Sequence, residues 1–212
     1  MQFSEIHGLH NIKDKLIQAV KKNHVAHAQM FAGLPGSANL SMALAFATYI
    51  NCEDKLESGS CGKCSSCAKM DKMVHPDIHF VFPVYSQSGD KEKIRNENVA
   101  KFRAFLSENP YGNLSDWAEF SKAENKQLNI SVEESRRIIG NISMKAFEAE
   151  YKVVLIWLPE LMNIAAANAI LKALEEPPEI EALLAEATGT AFREQVQQIR
   201  EILPGRVSVR MF

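Results

Sequence analysis

The sequence predicts an α/β fold in which a parallel sheet is covered by helices on both faces, and three observations lead there. Short apolar runs at residues 28–32, 77–84 and 151–157 read as buried strands, and segments of helical period alternate with them. A glycine- and proline-bearing turn joins the first of these runs directly to a long apolar helix. The composition, 46% hydrophobic and 24% charged over 212 residues, is that of a globular chain with a sizeable core.

Each element can be justified in order. Residues 9–22 carry Leu9, Ile12, Leu16, Ile17 and Val20 at helical spacing. Ala28–Ala32 is the first strand, followed by the turn and by a helix running to about Ile50. A cysteine-bearing excursion at 52–67 precedes the second strand at 77–84, to which Pro76 of the His75-Pro76-Asp77 turn pre-sets the entry. Residues 85–126 are polar and read as a surface insert, with a helix at 98–106 and a turn at 109–113 (NPYGN). A capping box, Ser131 with Glu134, opens a helix drawn to residue 147, whose Arg136, Arg137 and nearby Lys145 read as a solvated face. The strand at 151–157 leads into a helix at 162–176, stopped by Pro177 and Pro178. In the tail, residues 181–188 suit a helix or a short strand, 191–203 have helical period, and 206–212 alternate like a terminal strand. No composition shift marks a second domain; the elements of 1–179 read as one domain, and the harder tail at 180–212 as a divergent end completing it.

The same arithmetic excludes several classes. The longest apolar run, 153–159, is too short to cross a bilayer. The start, MQFSEIHGLHNIKDKL, has early acidic residues and no apolar core of a signal peptide. A net charge of −2 gives no global attraction to nucleic acid, so any such contact has to be local. The expectation is a soluble cytosolic protein.

All four cysteines, Cys52, Cys61, Cys64 and Cys67, fall within sixteen residues with the spacing C-x8-C-x2-C-x2-C. A disulfide framework spreads its cysteines to close long loops, whereas clustered C-x-x-C turns bring thiolates around one tetrahedral ion. Four clustered thiols also exceed what a redox dithiol needs, so the pattern points to structural zinc. His75 is the alternative fourth ligand, left out because four cysteines already close a structural site.

Between strand and helix, Gly33-Leu34-Pro35-Gly36-Ser37-Ala38-Asn39-Leu40 follows the frame of a phosphate loop, G-x-x-x-x-G-K-[ST]. Ala38 stands at the second glycine, Asn39 at the lysine and Leu40 at the metal-binding hydroxyl. The cation for the β- and γ-phosphates and one metal ligand are thus missing together. The strand at 151–157 should end in acidic residues for metal and water, yet it continues as Leu158-Pro159-Glu160. The sequence predicts a strand-to-helix turn that does not support ATP hydrolysis.

Four stretches in this order, FAGLPGSANLSMALAFATYINC, CGKCSSC, HPDIHF and NIAAANAILKALEEPPE, resemble the clamp-loader subunits of bacterial DNA polymerase III, of the AAA+ ATPases. The degraded loop is more similar to delta-prime subunits than to tau/gamma subunits, which keep an intact one. The resemblance implies a P-loop NTPase core with an inserted zinc module, and carries the zinc ligands to Cys52, Cys61, Cys64 and Cys67. It implies no activity of the chain's own, but a scaffold role, accessory to a DNA polymerase, in loading the sliding clamp onto primed DNA. The alternative is an active ATPase of the tau/gamma type. Implied partners are tau/gamma and delta subunits, the clamp and, through the complex, DNA; the implied place is the bacterial cytoplasm, at the nucleoid. Arg206 falls where the family's trans-acting arginine would lie, with Gly205 in place of the preceding serine. With the chain ending at Phe212, the family's lid and collar domains are expected to be absent.

Overall fold

The computed structural model describes residues 1–142, 144–175, 182–187 and 208–211. Among these, five strands form one parallel sheet in the order β2-β3-β4-β1-β5: β1 Ala28–Ala32, β2 Ile78–Val81, β3 Val153–Trp157, β4 Ala182–Ala187 and β5 Ser208–Met211. Residues 181–188, open between helix and strand in the sequence, supply β4, which lies between β1 and β3 with Ala28 opposite Leu183 and Val153 opposite Ala182. The terminal strand expected at 206–212 appears as β5 against the other side of β1.

Side chains of β3 show why both faces need cover. Val153, Leu155 and Trp157 enter one apolar cluster, and Val154 and Ile156 enter another on the opposite face. On the first face lies α2 (Asn39–Ile50), apolar around its whole circumference and buried at all 12 residues. The helix α1 (His10–Lys21) contributes Leu16 and Ile17 to the same cluster. On the second face pack α6 (Val132–Ile142) and α7 (Ile164–Glu175), through Ile138 and Ile170. Ser131 Oγ accepts from Glu134 N at 3.4 Å at the start of α6, and Asn163 Oδ1 accepts from Ala166 N at 2.8 Å in the first turn of α7.

Three expectations need correction. The insert is not a surface appendage. Its helices α4 (Lys91–Glu108) and α5 (Leu114–Phe120) place Phe102, Phe105, Leu106 and Trp117 in the main core. Phe102 stacks on Phe82 of the second strand's extension at 4.0 Å, and Trp117 Nε1 donates to the Pro83 carbonyl at 2.8 Å. Secondly, α4 begins well before residue 98, because Asp90 Oδ1 accepts from Glu92 N and Lys93 N at its start. Thirdly, α6 stops at Ile142 instead of reaching 147. Lys152 Nζ gathers the carbonyls of Asn141, Met144 and Lys145, and the N–H groups of Phe147 to Ala149 turn to the Asp77 carboxylate. Arg136, Arg137 and Lys145 are exposed, as a solvated face requires.

Pro177, Pro178, the helix drawn at 191–203 and Arg206 lie outside the described residues. No described helix is long and apolar enough to cross a membrane.

Candidate metal centre and glycine turn

The two candidate sites sit at opposite ends of α2. The helix starts at Asn39, beside the glycine turn, and Cys52 follows its last residue by two positions. At a rise of about 1.5 Å per residue the helix alone separates them by roughly 18 Å.

The four cysteine sulfurs lie within 4.8 Å of one another, and all four are free thiols. Cys52 Sγ is 4.0 Å from Cys64 Sγ, and Cys61 Sγ is 4.0 Å from Cys67 Sγ. Zinc at about 2.3 Å from each of four sulfurs sets them roughly 3.8 Å apart, so the cluster fits a tetrahedral ion. Local chain geometry makes this possible. Gly62, at φ +70, turns the chain between Cys61 and Cys64 in a conformation that side chains rarely adopt. Cys64 then caps the short helix α3 (Ser65–Asp71), accepting from Cys67 N.

Backbone N–H groups point at the sulfurs: Cys61 N at Cys52 Sγ (3.2 Å), Lys63 N and Cys64 N at Cys61 Sγ (3.4 and 3.3 Å), Cys67 N at Cys64 Sγ (3.4 Å). Such donors favour thiolate, the metal-binding form. The N–H groups of Lys63 and Cys64 bring the half-buried Cys61 thiol down to about 7. Burial pushes the Cys52 and Cys67 thiols up, so these two lose their protons readily only when a cation takes their place. Two of the thiols are buried and two half-buried, an arrangement that would suit a structural ion.

His75 stays outside the ligand set for a chemical reason. Its Nδ1 accepts from Asp77 N at 3.1 Å, so the neutral ring carries its proton on Nε2. That nitrogen lies 3.7 Å from Glu148 Oε1, both residues lining a cavity of about 210 Å³, and offers no lone pair to a metal. Burial holds the ring's pKa below its ordinary value, keeping it neutral.

Sequence places the His-Pro-Asp turn at the strand entry, and nothing in it announces the second role of Asp77. Its side chain is fully buried and accepts from Phe147 N, Glu148 N and Ala149 N. Burial raises the carboxyl pKa, but the three N–H groups together outweigh it and hold the group below the usual range. A second link ties the cysteine end of α2 to the same segment: Asn51 Nδ2 donates to the Tyr151 carbonyl at 2.8 Å and Asn51 Oδ1 accepts from Tyr151 N at 2.9 Å.

In the glycine turn, Gly36 adopts φ +78 and Ser37 N donates to the Leu34 carbonyl at 3.0 Å. A Cβ on Gly33 would strike Ser37 Oγ. Asn39, at the lysine position, is buried with its Oδ1 accepting from Ser37 Oγ at 2.6 Å. Leu40, at the hydroxyl position, is 2% exposed and packs in the core beside Ala38. At the end of β3, Trp157 and Leu158 are buried, Leu158 takes a left-handed φ of +57, and Pro159–Leu161 form a 3-10 turn carrying Glu160. The turn is flanked by the insert. Ser41 Oγ, in the first turn of α2, donates to the Pro110 carbonyl, a contact no local sequence pattern announces.

Comparison with known proteins shows the family. The family described as "DNA polymerase III, delta subunit" matches residues 8–125 and 112–188. Subunit tau/gamma of DNA polymerase III from Haemophilus influenzae is 25% identical over 177 residues, 84% of this chain and 20% of that protein. Subunit delta' from Yersinia pestis is 29% identical over 155 residues, 72% of this chain and 33% of that protein. Subunit tau from Bacillus subtilis is 27% identical over 178 residues, 84% of this chain and 24% of that protein. The chain thus spans between a fifth and a third of the length of these relatives. A family match covering most of the chain makes this protein a member of the DNA polymerase III delta-subunit family, the clamp-loader family its motifs resemble.

Proposed function

We propose that the chain is a delta-prime-like clamp-loader subunit that helps load the sliding clamp onto primed DNA as an ATPase-inactive scaffold. In this reading Gly33 to Leu40 is a degenerate phosphate loop on a P-loop NTPase core. One observation carries it: Asn39, standing where a phosphate-binding lysine belongs, is buried and bonded to Ser37. The lack of an acidic pair after β3 points the same way, since metal and attacking water would have no holder. Cys52, Cys61, Cys64 and Cys67 hold a structural zinc that tethers the end of α2. The subunit works with tau/gamma and delta subunits, the clamp and, through them, DNA, in the bacterial cytoplasm at the nucleoid.

The likeness to tau/gamma subunits keeps a second reading in view, an active ATPase of that type. Steady-state ATP turnover separates the two. The purified chain is expected to show none above buffer, and Asn39→Lys alone is expected not to restore it, because the acidic residues are missing as well. Robust turnover by the unmodified chain would establish the tau/gamma reading instead.

A further inference from the structure

The insert's turn at 109–113 faces the glycine turn with its backbone carbonyls. The Pro110 oxygen accepts from Ser41 Oγ, and the Tyr111 oxygen lies 3.9 Å from where a Cβ on Gly36 would sit. The first turn of α2 is the positive end of a helix dipole, and its cap residue, Ala38, makes no side-chain cap hydrogen bond. Carbonyl oxygens carry the partial negative charge that such an end attracts.

The turn is also rigid. Gly112 N donates to the Asn109 carbonyl at 2.9 Å, and a Cβ on Gly112 would collide with the Phe105 ring. On its far side Asn113 caps α5 in a reciprocal pair with Asp116. Both flanking helices are anchored in the core, α4 by Phe102 and Phe105 and α5 by Trp117. The turn is therefore placed by the main core, not by loose contact with the segment it touches.

We propose that residues 109–113 act as an intramolecular clasp on the glycine turn, holding it in shape through the chain's own carbonyls, in the place of a bound phosphate. The role assigned to the glycine turn rests on the scaffold reading above; the clasp itself is a contact within this chain. It gives the insert a function, keeping the first turn of α2 ordered when no nucleotide organises it.

Amide hydrogen exchange of the full chain tests this with two variants that reach the clasp from opposite sides. Ser41→Ala removes the donor. Gly112→Ala leaves the glycine turn untouched and displaces the clasp through Phe105. Both are expected to speed exchange of amides 36–42 by about tenfold, the effect of losing one buried hydrogen bond, with amides of α7, on the opposite face of the sheet, unchanged. Wild-type exchange at 36–42 in both variants would overturn the clasp. So would a uniform rise across the whole chain in Gly112→Ala with no change at 36–42 in Ser41→Ala. ATP turnover by the wild type would defeat the scaffold reading without altering these exchange patterns, so the two failures are separable.

Discussion

Asp77 shows what one carboxylate can organise. Fully buried, it is tolerable only because three backbone N–H groups replace its water, and in accepting them it ends α6 and fixes the approach to β3. Asp77→Asn puts an amide NH2 against those N–H groups and is expected to cost about 2 kcal/mol in urea unfolding. The group's folded pKa is depressed, so its stabilisation is complete above the ordinary carboxylate range near 4 and fades as pH falls through the lower folded value. Wild type should accordingly lose its stability advantage over Asp77→Asn as pH falls below about 4; a difference that stays constant through that acid range would contradict the assignment. At the metal centre, Cys64 is both a ligand candidate and the cap of α3. Elemental analysis of the wild type is expected to give about one zinc per chain, and Cys64→Ser to lower both zinc content and melting temperature. Wild type lacking zinc, with thiols that form disulfides on air exposure, would reject the zinc assignment.

Among the elements, the insert departs furthest from its sequence. Its polar composition hides a buried edge, because α4 shows long charged residues on one side and Phe102, Phe105 and Leu106 on the other. Phe102 touches Phe80, Phe82, Trp117 and Trp157, the last two from α5 and β3. Phe102→Ala is expected to cost about 3–5 kcal/mol by denaturant titration, where an exposed insert would register well under 1 kcal/mol. What was legible followed from range. The core strands stand out because burial on both faces leaves continuous apolar runs, and the cysteines because their ligand geometry is encoded within sixteen residues. The seven-residue helices α3 and α5 are too short to display a period, although Asn113 and Asp116 carried a capping signal that could have located α5. The early end of α6 depends on Asp77, some seventy positions away, and the contact between Ser41 and Pro110 on a similar separation. Periodicity has no access to either.

For the molecule as a whole, the cysteine cluster and the sheet are coupled through α2, whose end leads to Cys52 and whose sides are the core. Chelation is expected to lower the melting temperature and zinc to restore it, with the shift growing with free zinc. Magnesium-ATP is expected to produce no such shift, whereas ligand at a hundred times its dissociation constant would add about 2.7 kcal/mol. The strand order also sets a timetable for synthesis. In the described sheet β1 pairs with β4 and β5, whose partner residues follow it by some 150 positions or more. At about 5–20 residues per second, roughly ten to thirty seconds of translation separate β1 from its first neighbour. During that interval α2, apolar on every side, has no complete sheet to lie on. The growing chain is then a natural client for a holding chaperone. The cysteine cluster is complete by residue 67, so a metal held there would be among the first long-lived contacts available to the chain on the ribosome.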